Sequence, residues 1–298
     1  MKYAVIDVGT NNILFLIARK DGEKLTMLHR DANISALGKN MKGNLLRESA
    51  VKRTKVILND NIQYAKLFTE NIIVVGTSCS REAENINLLS DWLQQRHGLK
   101  YNIISGKKEA YFNGLANIKE FPEFSDIVMF DVGGGSTEFT ISQNGKIIFN
   151  KSLPLGIRRL DNEFSTDMAK KVLETKKLLQ NFELPEIEKA GIVGIGGTVT
   201  SLSAFKQRLF KYDGSKVHKS RLTISEVDVM LDEFANMTND EIAYLIPFDR
   251  QRADILTTGT MIVREILNRL GVFDFLVSDR GLQFGILLQN PEDLNAML

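Results

Sequence analysis

Two carboxylates flank three glycines in the segment Val128–Thr140, which reads VMFDVGGGSTEFT. An apolar run ends at Asp131, and Glu138 stands seven positions further on. Glycines let backbone N–H groups approach a ligand because no Cβ is in the way, and the hydroxyls of Ser136 and Thr137 add donors. Such a turn can wrap a phosphate group. Because a bare carboxylate repels phosphate, Mg²⁺, or alternatively Mn²⁺, is the expected mediator.

The N-terminal segment repeats this arrangement. The units YAVIDVGTNNILFLIARKDGEKLTMLH and IVMFDVGGGSTEFTISQNGKIIFNK both read as strand, Asp-Val-Gly, polar turn, strand, glycine-containing turn and strand. Asp7 aligns with Asp131 and Gly9 with Gly133, which indicates two related α/β domains. An aspartate at a strand end is often only a turn cap. Its recurrence in matched places favours a function in ligand or metal binding.

The rest of the chain alternates strands with helices, as α/β layers do. We predict strands at Tyr3–Val8, Ile13–Ala18, Asn71–Gly76, Tyr101–Ile104, Asp126–Phe130, Gly191–Ile195 and Phe273–Val277. We predict helices at Arg47–Phe68, Arg81–His97, Lys107–Ile118, Met168–Asn181 and Ile224–Phe234. Pro122 breaks the helical pattern near Ile118–Ser125. The expected domains are therefore residues 1–120, with a C-terminal helix at 283–298 packing back on them, and residues 121–282.

Composition excludes several classes of protein. The formal net charge of +1 over 298 residues argues against a chain that binds DNA through its overall charge. No apolar run reaches the length of a membrane span, and Asp7 interrupts the first apolar run where a signal peptide would be apolar. The single cysteine, Cys79, fits a reducing compartment. We therefore expect a cytoplasmic protein that contacts neither DNA nor a membrane, as a monomer or a weak dimer.

Neither glycine turn matches the common nucleotide-binding patterns. No Gly-Lys-Ser/Thr follows, so neither is a Walker A loop. Gly133-Gly134-Gly135 leads into a strand-like segment, whereas a dinucleotide-binding turn opens a helix.

Taken together, the motifs resemble those of the Ppx/GppA family of exopolyphosphatases and guanosine pentaphosphatases, in a short two-domain form. AVIDVGTN (Ala4–Asn11) is similar to the family's A-x-I-D-x-G-[ST]-N, and Asp131–Glu138 to its D-[IV]-G-G-G-S-T-E. GTSCSREA (Gly76–Ala83) and SGKKEA (Ser105–Ala110) fall between them, and SLPLGIRRL, GIGGTVTSLSA, RADILTTG and VSDRGLQFGIL follow in order. The resemblance implies an α/β fold of two similar actin-like (ribonuclease H-like) domains with a cleft between them.

The resemblance also implies site residues. Glu109 matches the catalytic glutamate of S-G-x-x-E-A, where it would orient and deprotonate water. Arg81 would clamp phosphate oxygens. Without the motif, Glu109 reads as an exposed acid in a first helical turn. The phosphate-binding candidates are Gly9, Thr10, Asn11, Gly133, Gly134, Gly135, Ser136, Thr137, Gly196, Gly197 and Thr198. The metal candidates are Asp131, Glu138 and Asp7.

The segment Phe205–Arg221 is the most basic stretch of the chain. A surface for a polyanion and a solvated helix end are equally good interpretations of it. The polyanion-binding candidates are Lys206, Arg208, Lys216, His218 and Lys219. One departure from the family is Ala36–Asn40 (ALGKN), where R-L-G-x-G is common, so an arginine and a glycine are absent.

The function implied is Mg²⁺-dependent hydrolysis of the terminal phosphoanhydride of inorganic polyphosphate, guanosine pentaphosphate or both, releasing orthophosphate. Two alternatives stay open. One is an ATP-dependent sugar kinase or ATPase of the actin–Hsp70–sugar kinase superfamily, and the other is a binding protein that senses polyphosphate or an alarmone without turnover. The intact carboxylates argue against the latter.

Overall fold

The computed structural model describes residues 1–41, 43–185 and 190–298, which form two compact units. Unit 1 comprises Met1–Ala116 and Leu282–Leu298, and unit 2 comprises Asn117–Gly281. Within those ranges no helix has the length and apolar character that crossing a membrane requires.

The strands are β1 (Lys2–Val8), β2 (Asn12–Asp21), β3 (Lys24–Ile34), β4 (Ile72–Gly76), β5 (Tyr101–Ile103), β6 (Asp126–Val132), β7 (Thr137–Gln143), β8 (Lys146–Leu153), β9 (Gly191–Ile195), β10 (Arg221–Thr223) and β11 (Asp274–Val277). The helices are α1 (Glu48–Lys66), α2 (Ser78–Glu82), α3 (Asn87–His97), α4 (Gly106–Ile118), α5 (Ile157–Phe164), α6 (Met168–Gln180), α7 (Gly197–Lys206), α8 (Gly214–Val217), α9 (Ile224–Ala235), α10 (Asn239–Leu245), α11 (Ala253–Leu270), α12 (Leu282–Leu287) and α13 (Pro291–Met297). A 3-10 turn at Arg250–Arg252 precedes α11.

The two sheets share one topology. Unit 1 has the order β3-β2-β1-β4-β5, and unit 2 has β8-β7-β6-β9-β11 with β10 added at the edge. In both, three antiparallel strands continue into parallel ones. The strands β1 and β4 are apolar and buried almost throughout, as strands covered on both faces must be.

The internal repeat predicted from the sequence is also present in the details. In both hairpins the pairing of the second and third strands shifts by one residue, between Ile17 and Ala18 and between Ile141 and Ser142, and the extra residue of each bulge lies in the third strand. These pairs lie at equal distances from Asp7 and Asp131. Because a bulge inserts one residue and bends the strand, its recurrence at one position indicates that both hairpins bend alike.

The predicted helix Arg81–His97 is wrong as a single element. The structure has α2 and α3 in its place, with Ala83 in an extended conformation between them. The side chain of Asn85 accepts from the Leu46 N–H and donates to the Leu46 carbonyl, and the Glu84 N–H donates to the Asn44 carbonyl. The helix therefore breaks where its backbone and side chains bind a segment distant in sequence.

The C-terminal helices belong to unit 1. Leu282, Ile286 and Leu294 are buried in an apolar cluster that includes residues of β1, β2 and β4. The closest approach is at Gly285, where an added Cβ would lie 1.8 Å from the Phe112 carbonyl oxygen of α4. Only a residue without a side chain fits between these two helices.

We expect Gly285→Ala to destabilise the protein by about 2 kcal/mol or more, because the obstructing atom is backbone and cannot turn away. Denaturant unfolding followed by circular dichroism measures the change. An unchanged midpoint would contradict this close packing of α12 on α4.

Candidate active site

Glu109 and Arg81 form a close ion pair in unit 1. Glu109 lies in the first turn of α4, after β5, as the sequence predicted. Arg81 lies at the end of α2, not at the start of a longer helix as predicted. Arg81 Nη1 donates to Glu109 Oε2 at 2.6 Å and to the Ile104 carbonyl at 3.0 Å. The two side chains are 21% and 12% exposed, so both are largely desolvated.

The remaining donors of Arg81 are available to a ligand. Within the described residues, both hydrogen bonds of the guanidinium come from Nη1, and Nη2 and Nε make none. Because a guanidinium has five N–H donors in a planar fork, the unused side can donate to two oxygens of a phosphate. Glu109 thus holds the arginine in place while leaving its second face open.

Burial raises the pKa of the Glu109 carboxyl above its ordinary value, and the charge and hydrogen bond of Arg81 partly oppose that rise. A carboxylate that is less stable as an anion is a stronger base. This is the property required of a group that takes a proton from water.

The first glycine turn, between β1 and β2, is held through its carbonyl groups. The Gly9 N–H donates to the Asn12 carbonyl at 2.9 Å, which closes the turn. The carbonyls of Thr10 and Asn11 accept from the backbone N–H groups of Gly38 and Ala36, each at 2.8 Å. The Thr10 hydroxyl is buried and has no hydrogen-bond partner among the described residues. Such a hydroxyl is the kind of group that a bound ligand satisfies.

The second glycine turn, between β6 and β7, has the same closure. The Gly133 N–H donates to the Ser136 carbonyl at 2.9 Å. Residues that follow β8 donate hydrogen bonds to the carbonyls of Gly133, Gly134 and Gly135. Thr137, predicted to bind phosphate, is fully buried, and its hydroxyl donates to the Leu155 carbonyl at 2.6 Å. Its hydroxyl hydrogen therefore supports the turn.

Asp131 and Glu138 stand directly opposite each other on β6 and β7. Directly opposed residues lie on one face of a sheet with Cβ atoms roughly 5 Å apart, where like charges repel. Glu138 is buried, and its Oε1 accepts from the hydroxyls of Ser136 and Ser152, both at 2.7 Å. The seven-residue spacing therefore places two carboxylates side by side. In unit 1 the partner of Asp7 is Leu14, so that pair does not recur there.

The carboxylate oxygens of Asp131 and Glu138 are of the type that a hard cation prefers, but two carboxylates alone do not complete its coordination. No group of three or more metal-ligating side chains occurs among residues 1–41, 43–185 and 190–298. Mg²⁺ is commonly held by one or two carboxylates together with water and substrate phosphates, which this donor set allows.

The third glycine segment, which opens α7, adjoins Asp131. Gly196 has a φ of +94°, and a Cβ there would lie 2.3 Å from Asp131 Oδ1, so glycine is required on both grounds. The side chain of Arg252 lies against Gly197, 2.6 Å from where its Cβ would be. Thr198 points inward, and its buried hydroxyl has no partner among the described residues. The structure thus brings Asp131, Gly196 and Gly197 together with an arginine that sequence reasoning missed.

Arg252 was missed although its motif, RADILTTG, was recognised. Its Nε donates to Asp249 Oδ2 at 2.8 Å, and the residue is buried. The arginine that opens this family motif is the sequence signal that could have found it.

Acids neutralise much of the basic segment. Lys206 pairs with Glu226 at 2.6 Å, and Lys219 lies 3.9 Å from Glu120. His218 accepts from the Asp279 N–H through Nδ1, so its Nε2 carries the proton and donates to Glu120 at 3.1 Å. Arg208 and Lys216 are exposed. The predicted polyanion-binding residues therefore do not form one uncompensated surface.

A solved structure gives the class of the protein. A member of the Ppx/GppA family from Aquifex aeolicus superposes with a TM-score of 0.79 at 26% identity, over 97% of this chain and 96% of its own. Together with the shared topology of the two sheets, this defines a two-domain α/β protein with the actin-like fold.

The family follows from the sequence comparison. The model of the Ppx/GppA phosphatase family matches residues 16–293, and the chain belongs to this family. A bifunctional 3-dehydroquinate synthase/phosphatase of Fusobacterium nucleatum is 33% identical over 97% of the chain. The chain spans only 46% of that relative's length. Exopolyphosphatase 2 of Mycobacterium tuberculosis is 28% identical over 96% of the chain and 98% of its own length.

We expect His218 to titrate below its ordinary pKa of about 6.5, because burial lowers the pKa and Glu120 opposes only part of that effect. A histidine with a lowered folded-state pKa contributes stability that is present above its unfolded pKa and lost as the pH falls. NMR titration of the ring protons measures the pKa directly. The loss of unfolding free energy between about pH 7.5 and pH 5.5 should be smaller in His218→Gln. A pKa above the ordinary value would contradict this account.

Proposed function

We propose that this protein hydrolyses the terminal phosphoanhydride of inorganic polyphosphate, guanosine pentaphosphate or both, and releases orthophosphate. The observation that carries the proposal is the Arg81–Glu109 pair, in which a desolvated carboxylate holds an arginine that has donors to spare. Membership of a phosphatase family and a relative named as an exopolyphosphatase support it.

Glu109 is the proposed general base. It orients the attacking water and takes its proton as the oxygen approaches the terminal phosphorus. Its raised pKa makes it a better proton acceptor than an ordinary surface glutamate. The bond between the terminal phosphorus and the bridging oxygen breaks, and the shortened chain leaves as the anion.

Arg81 is the proposed phosphate clamp. Its free Nη2 and Nε would donate to oxygens of the terminal phosphate and balance charge on the leaving group. The Glu109–Arg81 hydrogen bond, with that to the Ile104 carbonyl, limits where the guanidinium can turn. The base and the clamp therefore position each other.

The glycine turns are the proposed phosphate-binding elements. Their carbonyls are bonded to neighbouring protein segments, which leaves backbone N–H groups for anionic oxygens. Thr10 in unit 1 would add its unpaired hydroxyl. Ser136 in unit 2 already donates to Glu138 and can only accept from a further group.

A magnesium ion is the proposed cofactor. The residues proposed to hold magnesium, directly or through water, are Asp131 and Glu138 within unit 2 and, considered separately, Asp7 within unit 1. The ion would offset the repulsion between carboxylates and phosphate and neutralise charge in the transition state. Orientation of water, proton removal and clamping remain the work of the side chains described above.

Phosphate release from long polyphosphate, short polyphosphate, guanosine pentaphosphate and ATP, each with Mg²⁺ and with a chelator, tests the function. Release from one of the first three that stops on chelation supports it. Tight binding of guanosine pentaphosphate without turnover would establish a sensor. Phosphorylation of a sugar by ATP, without hydrolysis of polyphosphate, would establish a kinase.

We expect Glu109→Gln to lower kcat by about 10²–10⁴-fold, the usual contribution of a positioned base, and to leave substrate binding largely intact. Glutamine can still accept from Arg81, so the arginine stays in place. Single-turnover phosphate release measures the chemical step, and a separate binding measurement gives the substrate affinity. Full activity of the variant would contradict the proposed role of Glu109 as the base.

The pH dependence of kcat/KM provides a separate prediction. Glu109 must be ionised to act, so activity should rise through an inflection above the ordinary glutamate pKa of about 4.3. Arg81 lowers that pKa, so its charge matters. Arg81→Gln should move the inflection to higher pH, whereas Arg81→Lys, which keeps the charge, should move it less. An inflection that is identical in all three proteins would exclude Glu109 as the titrating group.

A further inference from the structure

The start of α5 holds the triple-glycine turn. The first N–H groups of a helix have no partner inside it. Here the N–H of Ile157 donates to the Gly133 carbonyl at 3.1 Å, and that of Arg158 to the Gly134 carbonyl at 2.7 Å. The side chain of Arg159 donates through Nε to the Gly135 carbonyl at 2.9 Å. All three glycine carbonyls are therefore bonded to three consecutive residues, Ile157–Arg159, which follow Gly156.

This bonding sets the direction of three N–H groups. In a trans peptide, the N–H of each residue points away from the carbonyl that precedes it. The N–H groups of Gly134, Gly135 and Ser136 consequently point away from α5. None of the three has a backbone hydrogen-bond acceptor among the residues that the structure describes. Successive N–H groups with one orientation form an anion-binding concavity.

The segment Gly156–Arg159 packs against the glycine turn so closely that there is no room for a side chain at Gly156. Gly156 is the residue before the first turn of α5, with an extended backbone. A Cβ there would lie 2.3 Å from the Gly135 carbonyl carbon and 2.6 Å from the Gly134 oxygen. A shift of α5 by a fraction of an ångström would therefore rotate the peptide planes of the turn.

Buried ion pairs fix α5 to two other helices. Arg158 is bonded through both Nη atoms to Asp254 of α11, at 2.9 and 3.0 Å. Lys171 of α6 donates to Asp161 of α5 at 2.6 Å, and Thr258 of α11 donates to the same carboxylate oxygen at 2.9 Å. The Arg158 and Lys171 side chains are only 4% and 5% exposed.

A purely stabilising role does not account for this cluster. Buried ion pairs cost much desolvation, and well-packed apolar residues often stabilise a fold equally well or better. What apolar residues cannot supply is a bidentate, directional link, which holds one orientation of a helix end. The cluster joins α5, α6 and α11 at the helix end that contacts the turn.

We propose that Arg158, Asp254, Lys171 and Asp161 are positioning residues for the phosphate-binding turn. They act through α5: the ion pairs hold the segment Gly156–Arg159, the segment holds the glycine carbonyls, and the carbonyls aim three N–H groups at an anion. The inference rests on the proposed function, in which the turn binds phosphate. It assigns a role in phosphate affinity to side chains that themselves contact no substrate.

Titration of the full chain with inorganic phosphate, followed through the amide signals of Gly134, Gly135 and Ser136, tests this chain of contacts. These three signals should shift in the parent protein. In Asp254→Asn, which leaves the shape but removes the charge, phosphate affinity should fall about tenfold to a hundredfold, the loss expected for misaligned hydrogen bonds to a charged group. The kcat/KM for the best substrate should fall about a hundredfold, as for other small misplacements.

The matched control is Asp228→Asn. Asp228 of α9 pairs with Arg264 of α11 at 3.0 Å. This ion pair therefore also involves α11, but it joins α11 to α9 and does not involve α5. This variant should keep both phosphate affinity and kcat/KM. Arg159→Ala, which removes the side-chain bond to the Gly135 carbonyl, should weaken phosphate binding with little loss of stability. If Asp254→Asn does not fold, the phosphate affinity of Arg159→Ala tests the inference in its place.

Three outcomes overturn the inference. The first is the absence of amide shifts at the turn in the parent protein. The second is a folded Asp254→Asn variant with parental affinity and kcat/KM, and the third is an Arg159→Ala variant with parental affinity. Failure of the proposed function is distinct. If the parent releases no phosphate from any substrate while the amides still respond and Asp254→Asn weakens that response, the positioning role stands and the hydrolase does not.

Discussion

The pairing of backbone carbonyls at the ends of β1 and β6 is the constraint on which the candidate site depends. A buried carbonyl without a partner is costly, so each turn must be bonded on one side. Segment 36–38 does this in unit 1 and segment 156–159 in unit 2. The carbonyl and the N–H of one peptide plane point in opposite directions. When the carbonyls of a turn are bonded to a neighbouring segment, its N–H groups therefore point away from that segment. The turn geometry for which we propose anion binding thus results from ordinary backbone satisfaction, provided that glycine or a small residue permits the close approach.

Two largely buried arginine–carboxylate pairs differ in how many of the arginine's donors they use. The Arg158–Asp254 pair is bidentate, so the donors of Arg158 that face Asp254 are used for structure. The Arg81–Glu109 pair uses a single nitrogen of the arginine, whose other donors have no partner in the part of the chain that the structure describes. The first arrangement specifies geometry, and the second leaves capacity for a ligand. The difference in hydrogen-bond geometry, more than burial alone, distinguishes a supporting ion pair from a candidate catalytic one.

Much of the fold was predictable because its signals are local. The strand, Asp-Val-Gly, turn and hairpin pattern indicated both halves of the repeat, and Asn144-Gly145 does adopt the positive φ angles that its hairpin requires. What could not be predicted depends on contacts between distant residues. Asn85 ends a helical pattern because it bonds Leu46, and Arg158 finds Asp254 across 96 positions. The basic stretch looked uncompensated because Glu226 and Glu120 lie outside it.

Two residues that depart from the family pattern, Ala36 and Asn40, both adopt positive φ angles. Where the family commonly has glycine, this chain has Asn40, which adopts a φ of +57°. Asparagine is among the few non-glycine residues that tolerate this region, so this chain adopts the conformation without a glycine. Ala36, where an arginine is common, also takes a positive φ, and its N–H holds the Asn11 carbonyl. The segment therefore bonds the first glycine turn through its backbone alone, and no arginine is needed at position 36 to build that turn.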